Sequence, residues 1–305
     1  MPSPLLGPFQ QAAARQLAKL VGSERFAEEQ YHDPPGDPGL FGPDSVTWKV
    51  HEDLSMFVGG VSALMLQALH PLALAGVLEH SDYREDPLRR LARTSSFVAA
   101  TTYASTPVAE TMIGIVKAVH RRVVGTAPDG RPYDASDPDL LRWIHVAEVH
   151  SFLRAHTRYH PSPIRGRDID RYLAENVVVA ERLGATEVPA SAVEVEAYLE
   201  AVRPQLIGGT QAHEAMEFLC SAWGPDPLTR VVSAIISQAA VDTLPDWARE
   251  MHGLVRAPMG DIVRPTTWAL LSAARALIGP SPIMAQATER CRQGSLDGGL
   301  GRTAA

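Results

Sequence analysis

The stretch "GGVSALMLQALHPLALAGVLEH", Gly59 to His80, decides the fold, because three quite different structures could carry it. From Met56 to Leu78 there is no formal charge. Its length is that of a membrane span, since roughly 20 apolar residues cross a bilayer. Its content is not, because Gln67, His70 and Pro71 lie near the middle, Gly59 and Gly60 weaken the start, and neither flank carries a Lys/Arg excess. A proline inside a helical pattern ends one helix and can open the next. The stretch is therefore expected to form two buried helices with His70 at the elbow, not a membrane-spanning segment.

Around it the pattern is helical throughout, with no convincing run of alternating strands. Three helix starts are legible because a side-chain acceptor precedes a proline at the first helical position: Asp86 before Pro87, Thr106 before Pro107 and Asp137 before Pro138. Gly125 is placed to cap the end of the second of these, and "GTAPDGRPYDASD" reads as a turn-rich loop. Further helices are expected at about 167–185, 191–203, 211–222, 227–242, 245–252, 264–277 and 282–293. The fold class expected is all-α, a single large helical domain over 41–292. An N-terminal helix and Pro-rich linker (1–40) would precede it, and a flexible tail (293–305) would follow.

Composition narrows the partners. A 305-residue chain can bury a sizeable core, and 45% hydrophobic with 21% charged residues suits a globular protein. A net charge of -7 offers no broad basic surface, so nucleic acid is not expected as a partner. Two cysteines, Cys220 and Cys291, make neither a disulfide framework nor a CxxC site. Their scarcity, and an opening without the order of a signal peptide, favour a cytoplasmic location. Oligomeric state is open.

Eleven histidines call for a metal or cofactor test. HExxH is absent, the single Glu-x-x-His spacing (Glu29 to His32) sits beside a Pro-rich loop, and no phosphate-loop or nucleophile-elbow pattern occurs. His120 is different. It shares a helix face with Ile113, Val116, Val123 and Val124, and a buried unpartnered imidazole costs about 1–3 kcal/mol. It therefore needs a partner: a main-chain carbonyl, the commoner case on spacing alone, or a haem iron. Arg90, Arg93 and Thr94 fall at i, i+3 and i+4 on the preceding helix. They could bind carboxylates or polarise a bound oxygen species, or they could form a solvated basic edge. His51, His70 and His80 flank the apolar stretch and individually read as structural. His145, His150, His156 and His160 read as a polar or half-exposed face, with His145 and His150 poorly placed for one metal.

The order of these pieces carries a resemblance. "GPDSVTWKVHEDLSMFVGGVSALMLQALHPLALAGVLEHSDYREDPLRRLARTSSF", then "VHRRVVG", "GRPYDASDPDLLRWIHVAEVHSFL" and "DIDRYLAE", resembles the MpaB / latex-clearing-protein (rubber oxygenase) catalytic-domain family. The resemblance implies an all-helical, globin-like core holding one haem b, and oxidative chemistry with dioxygen. It matches the family's proximal haem histidine, the metal ligand, to His120, and its Arg-x-x-Lys-Thr motif to Arg90, Arg93 and Thr94. Here the middle cation is arginine, which stays protonated and should not ligate iron as the family's lysine can. The sixth position is then expected to be open or water-filled, or taken by another ligand such as His51 or His70. The family's distal glutamate has only Glu79 near its aligned position.

The function expected is a haem b-dependent oxygenase or oxidase acting with dioxygen on an apolar or amphipathic small molecule. A haem-binding or haem-sensing protein without turnover and a cofactor-free helical ligand binder are the alternatives, and an absorption spectrum with iron analysis separates them.

Overall fold

In a computed structural model the described residues, 31–81, 87–221, 224, 226–254 and 260–300, form thirteen α-helices and one small two-stranded sheet. The expected first helix, the Asp86 cap and the last five residues lie outside them. The protein is all-α, as its periodicity predicts.

The opening stretch forms α2 (Ser55–Gln67) and α3 (Pro71–His80), following α1 (Val46–His51). His70 stands at the elbow as N-cap of α3, its side chain accepting from Ala73 N, with Pro71 in the first turn. The two helices bend by 107°, and among the described residues no single helix is long and apolar enough to cross a membrane. Together the bent pair has the length and composition of a span, but α2 is spent on packing. Val58, Val61, Met65 and Leu66 are almost wholly buried.

Helix α2 lies against α6 (Pro138–Tyr159) in the most extensive helix contact of the described chain. Helix α6 opens on Asp137, whose side chain accepts from Asp139 N ahead of Pro138, as expected. It is buried on nearly all sides, which marks a central helix. Gly59 sets the α2–α6 approach: a Cβ there would stand 2.9 Å from Phe152 Cα and 3.1 Å from Ser151 O. Gly59→Ala is accordingly expected to cost about 1–3 kcal/mol, the range for overpacking. Gly60, one residue on, has open space around its Cα, and Gly60→Ala should gain about 0.5–1 kcal/mol from helix propensity. Urea midpoints moving in opposite directions would bear this out; parallel shifts would refute it.

Helix α4 (Pro87–Tyr103) turns directly into α5 (Thr106–His120), and the two pack together. The N-cap of α5 is Ser105, not Thr106. Thr106 instead gives both its N–H (3.0 Å) and its hydroxyl (2.9 Å) to Asp37 Oδ1, a partner 69 residues away that local spacing could not reveal. Helix α5 stops at His120 rather than near Gly125, which lies in a strand. The expected loop is an antiparallel hairpin of β1 (Val124–Thr126) and β2 (Pro132–Asp134), with Gly125 opposite Tyr133. A side chain at position 125 would run into the Tyr133 hydroxyl, so glycine serves a close approach rather than a helix cap.

Helices α7 (Arg167–Leu183), α8 (Ala192–Val202), α9 (Thr210–Cys220), α10 (Pro227–Thr243), α11 (Asp246–Met251), α12 (Gly260–Ile278) and α13 (Pro282–Leu300) complete the fold. Helix α12 begins earlier than expected, taking Pro265 inside it, and α13 continues past the expected end at 293. One large core joins α2, α6 and α10. Arg275 of α12 clamps the α1–α2 connection through two 2.8 Å bonds to the Asp53 carboxylate.

Candidate functional site

Two polar regions are built on this frame. The first is the end of α5 that the sequence singles out. His120 is the last helical residue, half-buried, with Ile113 two turns before it in the core. Burial lowers its pKa, with Asp134 pulling weakly the other way, so the ring is neutral at pH 7. Its main-chain carbonyl accepts from Val123 N, and no hydrogen bond among the described residues engages its ring. Ile115 and Val119 of the same helix and Val124 of β1 are half exposed (53, 54 and 50%), which leaves apolar surface uncovered on α5 and at the start of the hairpin.

Arg90 and Arg93 lie in the first half of α4. Arg90 is half-buried and donates from Nη1 to Ser81 Oγ at 3.0 Å. Arg93 and Thr94 are exposed, Thr94 donating back to Arg90 O at 3.3 Å. None of the described hydrogen bonds joins these three residues to His120. Glu79 is exposed and accepts a short hydrogen bond from Tyr133, which also meets His80 Nε2 at 3.1 Å. It props the β-hairpin.

The second region lies inside, between α1, α4, α6 and α7. It is a partly open chamber whose polar lining is His51, Thr101, Thr102, His145, Glu148 and Asn176, flanked by Phe41, Phe97 and Phe152 among other apolar side chains. The centres of water-sized molecules have about 30 Å³ to occupy, against roughly 10–15 Å³ for a single water on that measure. One or two waters fit. A porphyrin does not.

His51 is held here at both ring nitrogens, Nδ1 to Thr102 Oγ1 at 2.8 Å and Nε2 to Tyr172 OH at 3.1 Å. Burial, with a smaller contribution from His156, pushes its pKa down to about 3. His70 is likewise occupied, through its N-cap bond, and lies beside Trp143 at 6.1 Å between ring centroids. His51 thus has both ring nitrogens engaged, whereas His70 uses only Nδ1.

The histidines of α6 do not form a half-exposed face. His145, His150 and His156 are buried (8, 6 and 1% exposed), and burial drives their pKa values to about 4, 3 and 4. Nε2 of His145 and of His150, and both nitrogens of His156, have no hydrogen-bond partner. His145 and His156 share a stripe with Val149 and Phe152 at i, i+4, i+7 and i+11, and that periodicity was available to give their burial away. Glu148 was missed for a related reason: it stands three residues after His145, the reverse of the Glu-x-x-His order of carboxylate-bridged di-iron sites. Among the described residues no group of three or more His, Cys, Asp or Glu side chains is arranged to hold a metal ion. A single axial imidazole to a porphyrin iron is not subject to that requirement.

No curated protein and no solved structure matches the chain significantly. The catalytic-domain profile described as ER-bound oxygenase MpaB/B′/rubber oxygenase does match, over residues 48–277. The match covers α2 through α6 with the histidine, the arginine motif and all the named chamber residues but Phe41, and most of the helices beyond. The chain thus belongs to the MpaB/rubber-oxygenase catalytic-domain family.

Proposed function

We propose that this member of an oxygenase family is haem b-dependent and acts with dioxygen on an apolar or amphipathic small molecule, with His120 as the residue that would hold the iron. The observation that carries this reading is the state of His120: a desolvated, neutral imidazole whose ring nitrogens are not spent on the protein. Half-exposed Val119, next to it on α5, and Val124, at the start of β1, support it as nearby apolar side chains that a bound porphyrin would have available to cover. When bound, the haem supplies dioxygen binding and activation.

The chain's own contributions follow from its residues. His120 offers a lone pair without first losing a proton. Arg90 anchors a propionate carboxylate, for which a planar guanidinium is well shaped. Arg93 and Thr94 would supply hydrogen-bond donors to a bound oxygen species. The apolar helices α2 and α3 keep bulk water from the reacting centre. His51, with both ring nitrogens bonded, would not serve as a second ligand.

Absorption spectroscopy tests the proposal. Protein produced with adequate haem supply is expected to show a Soret band, and His120→Ala to lose it or shift it strongly with far-ultraviolet circular dichroism unchanged. No Soret band in the wild type would refute the haem reading. An unchanged band in His120→Ala would move the ligand elsewhere.

A further inference from the structure

The chamber around Glu148 is not used by the reading above. Glu148 lines it, makes no described hydrogen bond to the protein, and keeps part of its surface although it lies deep in the fold. Of its polar neighbours only His145 keeps an unpartnered nitrogen, Nε2; the others are already bonded. Thr102 and Tyr172 hold His51, Thr101 donates to Phe97 O at 2.9 Å, and Asn176 donates to Thr47 Oγ1 and Tyr172 O. A buried carboxyl group without a protein partner costs several kcal/mol if charged, and it still needs a hydrogen bond if neutral. The adjoining space is large enough to supply one.

We infer that this chamber is a proton-handling site, in which Glu148 carries an exchangeable carboxylic proton hydrogen-bonded to one or two water-sized molecules.

The groups facing Glu148 support this. From α1 comes His51, from α4 Thr101 and Thr102, from α7 Tyr172 and Asn176, and from its own helix His145. None is a cation at neutral pH: burial drives His51 and His145 far below 6.5. With no positive charge to favour the carboxylate, burial alone pushes Glu148 up to about 7. An acid in that range gives and regains protons under working conditions. On release, the carboxyl O–H bond breaks and the proton passes to the adjoining water-sized molecule. Return of a proton along the same hydrogen bonds restores the acid, and no electrons move. The use of such a proton rests on the oxygenase reading, since reduction of dioxygen consumes protons that an apolar interior does not otherwise supply. The neutral lining selects uncharged guests that both donate and accept hydrogen bonds, and it rejects anions.

Infrared difference spectroscopy of the full chain, titrated through neutral pH in H2O and D2O, tests the inference. Expected is a carboxylic C=O band of a buried acid that fades as the pH rises through about 7, shifts in D2O and is absent from Glu148→Gln. If that variant does not fold, carboxyl-13C glutamate in the wild type should shift the same band. No band titrating in this range, or a band that survives in Glu148→Gln, would overturn the assignment. A Soret band without the infrared band sinks only this inference; the infrared band without a Soret band sinks only the haem reading.

Discussion

Acidification from about pH 6.5 to pH 4 is expected to unfold the protein, in a window set by its buried histidines. His70, His145, His156 and His252 are held neutral by burial with values near 4, and His51 and His150 near 3. In the unfolded chain each titrates near 6.5, so below that pH the unfolded state binds more protons and stability falls with pH. A group shifted from 6.5 to about 4 contributes roughly 3 kcal/mol that is present above 6.5 and lost as the pH falls towards the folded value. Domains have only about 5–15 kcal/mol in total, so two or three such groups suffice and six exceed the need. Glu148 works in the opposite direction. Its folded value, about 7, lies above the usual 4.5, so it favours the fold as pH falls through that interval. Glu52, whose carboxyl burial also raises, acts in the same sense, but two carboxyls do not balance six imidazoles. Urea midpoints at constant ionic strength should therefore fall steeply below pH 6.5. A flat profile down to pH 4.5 would show that these rings carry partners and titrate normally. His145→Asn, which cannot be protonated, should soften the slope by about one proton's share.

How much of this was readable from sequence depends on how local each determinant is. The elbow at His70–Pro71 and the start of α6 at Asp137–Pro138 are set by neighbouring residues, and both were legible. The start of α5 was misread by one residue because Asp37 captures Thr106 from far along the chain. The β-hairpin was missed because its strands are three residues long, too short for alternation to register. Helix α6 hid its character for another reason. A helix buried on nearly every side has little amphipathic contrast, so its histidines resembled a polar face. His120 and the arginine motif were legible as a pattern. The chamber was not, since His51, Glu148 and Asn176 meet only after α1, α6 and α7 have packed.

Replacing Arg290 should be the most damaging substitution of a charged residue in the described chain. Its side chain is wholly buried on α13, with Nε donating to Asp37 O (2.8 Å), Nη1 to Tyr31 O (2.7 Å) and Nη2 to Tyr103 O (2.9 Å). The backbone joins in, because Gly36 N donates to Arg290 O at 2.7 Å. One planar guanidinium thus ties three separated parts of the chain together: the Pro-rich segment, the end of α4 and α13. The Asp37 that Arg290 fixes is also the acceptor for Thr106 at the start of α5, so the loss would spread to the helix that bears His120. Arg290→Met keeps most of the volume but takes the guanidinium donors from Tyr31 O and Tyr103 O and leaves Asp37 O only the weak Cys291 Sγ contact at 3.6 Å, at about 1–3 kcal/mol for each left unmet. With partial relaxation the expected loss is about 3–5 kcal/mol, seen as a lower urea midpoint and faster proteolytic cleavage near residues 31–44. Arg290→Lys should recover only part of it, since a single ammonium cannot span three carbonyls set around a fork. The contrast is Arg131, paired with Asp129 at the surface with both side chains 40% or more exposed, where Arg131→Ala should leave the midpoint unchanged. Equal effects at the two positions would mean that the buried guanidinium contributes by charge alone. A large loss confined to Arg290 would tie it to the three carbonyls, and a haem spectrum weakened in the same variant would trace the damage through Asp37 and Thr106 to His120.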